Sequence, residues 1–428
     1  MNVQNRSSYL FAILMVALVT VLPASSSLDE LLADGARNNP GLKAAFYVWQ
    51  AKMEAIAWAR ALPDPQLSFA QFIQPIETRV GPQRQRIGLM QKFPWFGKLK
   101  LKGDAAAEAA EAARMKLEFL RWELEFDIKK RYYAHYYLQR SIAILHEHLR
   151  LLKYLEGVLE ARYKVGQVLL SDLLRIQIER ESLQDRLDDA RDRVPPLEAE
   201  LNVLAGRTPG TPVHFESQLD VPEVEVDLQR LSGLLLADNP SLKALGHSVD
   251  LERLGKRLAR LSARPDFSLG VDYMLTGEAR MPDVMGSGTD PLAIKMSMSL
   301  PIWSKKNKAA AREAEARYLM AMSQKRDAES RLLAKLESIY AAYGSAKRKL
   351  KLYRHSLIPK ALQAMAVTQT AFETGKTDFL HYIDALRTLL TLELDGEKAA
   401  VDAATQLAAL NLLTGLDAVD NREKEAVN

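Results

Sequence analysis

Few side chains in this sequence have the types and spacing that chemistry requires. His146 and His148 lie two positions apart in a helical run, so they do not share a face and do not make a zinc pair. Met274, Met296 and Met298 offer soft thioether sulfur. Met296 and Met298, however, fall on the apolar register of an alternating run, where bilayer or packing contact is the simpler reading. No nucleophile elbow, phosphate loop or His-Glu-x-x-His motif occurs, so no enzyme activity, cofactor or bound metal is expected. There is no cysteine, which excludes disulfides, thiolate metal sites and a lipid on an N-terminal cysteine. The 58 basic and 54 acidic residues, a formal net charge of +4, are finely mixed, and no basic stripe points to nucleic acid.

The positions that stand out are instead those that redirect the chain. Gln91 to Gly103 turns an alternating, strand-like run into an Ala- and Glu-rich helical one, with Pro94 unable to donate to a sheet and Gly97 free of ordinary steric limits. The same change recurs at Leu300-Pro301-Ile302-Trp303. Two further turns, Val165-Gly166-Gln167 and Thr374-Gly375-Lys376, lie where long helical patterns reverse, and glycine there suits a helix C-cap.

The elements that position these turns follow from periodicity. Arg6, an apolar run from Tyr9 to Leu22 and the small residues up to Ser27 predict a cleaved export signal over 1–27. A first repeat over 28–206 reads as a helix from Leu28 to Leu62, interrupted at Asn39-Pro40, and a β-hairpin of about 66–93. Its strands are Gln66 to Ile73 and about Arg84 to Phe93, around a loop with Pro75, Gly81 and Pro82. A long helix of about 98–164, a turn at 165–169 and a return helix with a kink at Pro195-Pro196 complete it. A linker over 207–223 leads to a second repeat over 224–415. It has a hairpin of about 266–300, a helix of about 305–373, a turn at 374–378 and a return helix. A charged tail over 416–428 is expected to be disordered. Asn39-Pro40 recurs at Asn239-Pro240 with an offset of 200, Pro94 at Pro301 with 207, and Gly166 at Gly375 with 209, so the halves share one plan and differ in hairpin length.

The second hairpin alternates cleanly, Phe267, Leu269, Val271, Tyr273 and Leu275 against Asp266, Ser268, Gly270, Asp272 and Met274. Strands of this length suit a tilted membrane crossing with lipid on one side and a lumen on the other; a soluble hairpin packed on a helix alternates in the same way. Four strands cannot close alone, whereas three chains would pool twelve. In the first half, segments of about 35 and 36 residues stacked end to end span about 107 Å, close to the roughly 100 Å of the single long helix.

On these residues the mature chain resembles the TolC family of outer-membrane efflux channels, and the Phe-Pro-Trp-Phe-Gly-Lys-Leu run at 93–99 looks like the turn common in members serving heavy-metal and related resistance-nodulation-division pumps. The resemblance implies a mainly α, internally duplicated TolC-like fold with a small β part. Its long antiparallel helices would form a twelve-helix barrel per trimer beneath a twelve-stranded β-barrel, four strands from each protomer. It implies a homotrimer in outer-membrane lipid with a large periplasmic part, passively conducting metal cations or small toxic compounds. The implied partners are a periplasmic adaptor and an inner-membrane pump of the resistance-nodulation-division class. The residues implied to dock the adaptor are Val165, Gly166, Gln167, Thr374, Gly375 and Lys376. Asp172 and Asp384 match gate and constriction positions, with His381 standing where many members have a second acid; helix-surface acids that merely solvate are the plainer alternative. The rival classes are a soluble periplasmic coiled-coil adaptor or scaffold and an exported enzyme with a helical scaffold, for which no site is visible.

Overall fold

The computed structural model describes residues 27–213, 215, 219, 221–222 and 227–416. The expected export signal apart from Ser27, the expected tail apart from Leu416, and part of the expected linker lie outside them. The first half comprises α1 (Ser27–Asn38), α2 (Pro40–Arg60), β1 (Gln66–Thr78), β2 (Gly81–Phe93), α3 (Lys98–Lys164), α4 (Leu170–Asp192) and α5 (Val194–Leu204). The second comprises α6 (Leu228–Asp238), α7 (Pro240–Leu261), β3 (Phe267–Thr276), β4 (Leu292–Met298), α8 (Ser304–Leu352), α9 (Ile358–Glu373) and α10 (Phe379–Thr414).

α3 is continuous over 67 residues. A helix of about 100 Å is stabilised chiefly by packing, and it has neighbours along its whole length. α2 covers its upper part and α4 its lower part, while α7 and α10 flank it from the other half and also pack on α8. The short helices stack end to end through paired asparagines. Asn39 accepts the Leu42 N–H at 3.1 Å as the cap of α2 and donates its side-chain amide to the Leu204 carbonyl of α5 at 3.0 Å. Asn239 caps α7 in the same way and donates to the Leu413 carbonyl of α10 at 2.9 Å. In each pair the following proline, Pro40 or Pro240, occupies a first-turn position where a missing N–H costs nothing.

The second long helix differs from the single run expected over 305–373. Tyr353–Leu357 forms a π-turn, and the Ile358 N–H donates to the Tyr353 carbonyl five residues back. Pro359 supplies no N–H and its ring crowds the preceding turn, so the chain gains a residue rather than breaking. Gly396 of α10 admits the swelling, since a Cβ there would lie 2.9 Å from Ile358 Cδ1.

The two hairpins form one antiparallel sheet in the order β1-β2-β3-β4. The first hairpin is longer than the sequence predicts. Gly81 and Pro82, read as loop, begin β2, and Pro75 lies in β1 where the register shifts between Gln71 and Ile76. An irregularity of this kind is where a strand tolerates proline. β4 ends at Met298, two residues short of the alternating run. Leu67, Leu89, Val271 and Ile294 form one row across all four strands, and no helix covers them: Leu67 is 75% and Ile294 85% exposed. Among the described residues the outer edges of β1 and β4 have no partner strand. Among the described residues no helix is long and apolar enough to cross a membrane.

The core is divided along the helices rather than gathered at one centre. Leu145, Leu152, Ile176, Tyr382 and Leu386 fill the lower part, Leu231, Leu336 and Leu410 join α6, α8 and α10, and Leu31, Ile128 and Leu201 join α1, α3 and α5. His135, fully buried on α3, stacks on Phe215 at 3.4 Å and pairs with Glu198 at 3.1 Å. Burial lowers its pKa below the ordinary 6.5, against the opposing pull of Glu198. The unfolded chain therefore takes up the proton first, and stability falls as pH drops below about 6.5. The melting temperature of His135→Gln is expected to fall less than that of the unaltered protein between about pH 7 and pH 5.5.

Candidate functional site

The lower ends of the long helices close in matching turns. The Gly166 N–H donates to the Tyr163 carbonyl and the Gln167 N–H to the Arg162 carbonyl, both at 2.9 Å. In the second half the Gly375 N–H donates to Phe372 at 3.1 Å and the Lys376 N–H to Ala371 at 2.8 Å. Both are Schellman closures, with φ of 72° at Gly166 and 73° at Gly375. No atom lies within 4 Å of where a Cβ would stand at either glycine. Backbone conformation therefore selects glycine here, and the turns present bare main chain to open space.

Arg162 ties one tip to the other. Its guanidinium sits over the Phe372 ring at 4.8 Å and donates to the carbonyls of Phe372 at 3.4 Å and Glu373 at 3.3 Å. Val165 and Leu169 are exposed beside these turns.

The three residues assigned to the gate lie just inside the tips and are not joined to one another by any hydrogen bond or ion pair among the described residues. Asp172, in the first turn of α4, accepts the Leu169 N–H at 3.3 Å and so caps its own helix. His381, in the first turn of α10, engages Asp378 through its backbone N–H at 3.1 Å and its Nδ1 at 2.6 Å. Those bonds hold the Asp378 carboxyl below the usual range. Asp384 is exposed and stands 3.7 Å from the Arg387 guanidinium, which also bonds Glu179 of α4 at 3.0 Å through Nε. Arg162 and the Arg387–Glu179 link were not singled out from sequence. The internal repeat gives no signal for them, since the offset of 209 sends Arg162 to Ala371 and Arg387 to Ile178.

At the opposite end, the turns from strand to helix differ in how they are held. Pro94 ends β2 and Gly97, at φ 84°, precedes α3. Asp266, contributed by the other half at the foot of β3, accepts the Trp95 N–H at 2.9 Å and Lys98 Nζ at 2.7 Å, and pairs with Lys92 at 3.3 Å. Lys98 is buried and also donates to the Arg264 carbonyl at 2.9 Å. Burial alone would raise the Asp266 pKa, but Lys98, the Trp95 N–H and Lys92 outweigh it and hold the carboxyl below its ordinary range. The turn at Pro301 has a lighter fastening, Asn307 Nδ2 donating to the Pro301 carbonyl at 3.3 Å. Among the described residues no group of three or more His, Asp or Glu side chains is placed to hold a metal ion.

Residues 231–416 match the family model described as outer membrane efflux protein. No curated protein matches in sequence. Among solved structures, the outer membrane protein VceC of Vibrio cholerae superposes with a TM-score of 0.76 at 17% identity, covering 91% of this chain and 96% of that one. The channel-forming protein CusC gives 0.77 at 14% identity, with 92% and 95% covered. The MtrE outer membrane channel of Neisseria gonorrhoeae gives 0.75 at 18% identity, with 91% and 89% covered.

Asp266→Ala is expected to leave Lys98 buried without a counter-charge, at a cost of about 3 kcal/mol in chemical unfolding of the purified protein. The matched family model is that of an efflux protein, and two of the matched structures are channels. Its fold is the TolC-like fold of outer-membrane channels, mainly helical with a small four-stranded sheet.

Proposed function

We propose that this chain is one third of a trimeric outer-membrane efflux channel and a member of the outer membrane efflux family. One observation carries the reading: a four-stranded sheet whose apolar face is bare and whose two edges are open among the described residues. In lipid each unpaired backbone group costs several kcal/mol, so such a sheet is stable only when copies close it. Three copies supply twelve strands, a workable barrel, and a cyclic trimer continues the helices beneath as a periplasmic tunnel. The match over residues 231–416 supports the same reading.

The channel is passive and belongs to a tripartite assembly. A periplasmic adaptor docks at the turns of Val165, Gly166, Gln167, Thr374, Gly375 and Lys376, and an inner-membrane pump of the resistance-nodulation-division class supplies the energy. The exposed turns suit docking by helical hairpins, because main chain at Gly166 and Gly375 is open to approach. The Phe-Pro-Trp-Phe-Gly run at 93–97 favours a partner among the heavy-metal and related pumps. Asp384 is exposed and only loosely held by Arg387, so three symmetry-related copies can form an acidic ring at the constriction. Asp172 and His381 serve that gate from the capped first turns of α4 and α10.

Bulky substitution at Gly166 or Gly375 is expected to abolish export in a complementation assay while the trimer still reaches the outer membrane. Unchanged export by both variants would remove the docking role. Asp384→Ala is expected to weaken block by divalent cations added from the tip side in single-channel recordings. Block equal to that of the unaltered protein would mean that no acidic ring exists.

A further inference from the structure

We propose that the strand-built half of the pore is a cationic passage, so that cargo leaving through it is anionic or neutral. This rests on the trimeric barrel proposed above, and concerns the sheet face opposite the apolar one. Arg86, Lys92 and Lys295 lie on that face, with two carboxylates, Asp272 on β3 and Asp266 at its foot. With buried Lys98 beside Asp266, four cations meet two anions in each chain. On β1 the same face offers Gln66, Ser68 and Ala70, none of them charged.

The carboxylates and Lys98 are recessed, whereas Lys92 and Lys295 are not. Asp272 is 6% exposed and is bonded at 2.7 Å by Lys295, whose side chain is 46% exposed. The Lys92 side chain is 53% exposed, against 18% for that of Asp266. The recess is built into the strands: a Cβ at Gly88 would lie 2.4 Å from Asp272 Oδ1 and 2.7 Å from Ser68 Oγ. A residue with any side chain at position 88 would push the carboxylate towards the lumen. An ion passing the wall therefore meets ammonium groups with the acids behind them. In a narrow passage with low-dielectric walls such an excess raises the local concentration of anions and opposes divalent cations. A metal leaving by this route would do so as an anionic complex or oxyanion. The sign is opposite to that of the Asp384 ring, so the two ends are separable by the side from which a blocker is added.

The test is single-channel recording of the full-length protein in planar bilayers, with inorganic tripolyphosphate or spermine added at the barrel end. Tripolyphosphate is expected to block and spermine is not. Lys92→Gln/Lys295→Gln should raise the tripolyphosphate concentration for half block by about tenfold, as removal of six charges from one confined wall predicts. If that double variant does not insert, Arg86→Gln provides the same comparison. Block by spermine, absence of block by tripolyphosphate, or a variant blocked as readily as the unaltered protein would overturn the cationic passage and leave the channel reading intact. A protein that opens no pores would overturn the channel reading, and the passage with it.

Discussion

The hydrogen bonds of Asn39 and Asn239 are small interactions on which the tall helical body depends. A helix of 67 residues has no stability of its own in proportion to its length, and the chain covers it with shorter helices laid end to end. Each joint leaves helix-terminal N–H and carbonyl groups facing one another across a break. One side chain satisfies both kinds: its oxygen caps the helix that begins, and its amide nitrogen donates to a carbonyl of the helix that ends. Asparagine carries its acceptor and its donor on separate atoms, whereas a serine or threonine cap has both on one short hydroxyl. Aspartate could cap but could not donate.

Above this body the two halves are related but not interchangeable. The first strand-to-helix turn is fastened by a carboxylate from the second half, while the turn at Pro301 has no counterpart to Asp266 among the described residues. Asp266 thus locks hairpin to hairpin at the level where strands give way to helices, and Trp95, stacked on Phe267 at 5.7 Å, fills the adjacent space. The sheet is joined through β2 and β3 at its middle, leaving both free edges at its flanks.

Much of this plan is readable from local pattern. The long helix over Lys98–Lys164 is announced by composition and by glycines beyond its ends, and the tip closures by glycine at the end of a helical run. The asparagine-proline pairs are visible as a repeat, but their partners at Leu204 and Leu413 lie 165 and 174 residues away, beyond any local pattern. The same distance hides the link between Lys98 and Asp266. The first hairpin misleads because Pro75, Gly81 and Pro82 carry loop chemistry in a segment that the neighbouring strands hold extended. At the tips, Asp172 and His381 read as gate residues, yet each is engaged in its own helix start, a competing use of a polar side chain that sequence does not separate from a lumenal one.

The π-turn at Tyr353–Leu357 has a mechanical meaning. One additional residue rotates everything downstream by about 100° about the helix axis relative to a regular helix. The stripe of α9 that meets α10 is therefore set independently of the stripe of α8 above it. α3, unbroken, has no such freedom. A twist arriving at the tips would be taken up in the second half, making the chain a stiff rod joined to a swivel rather than two equal struts.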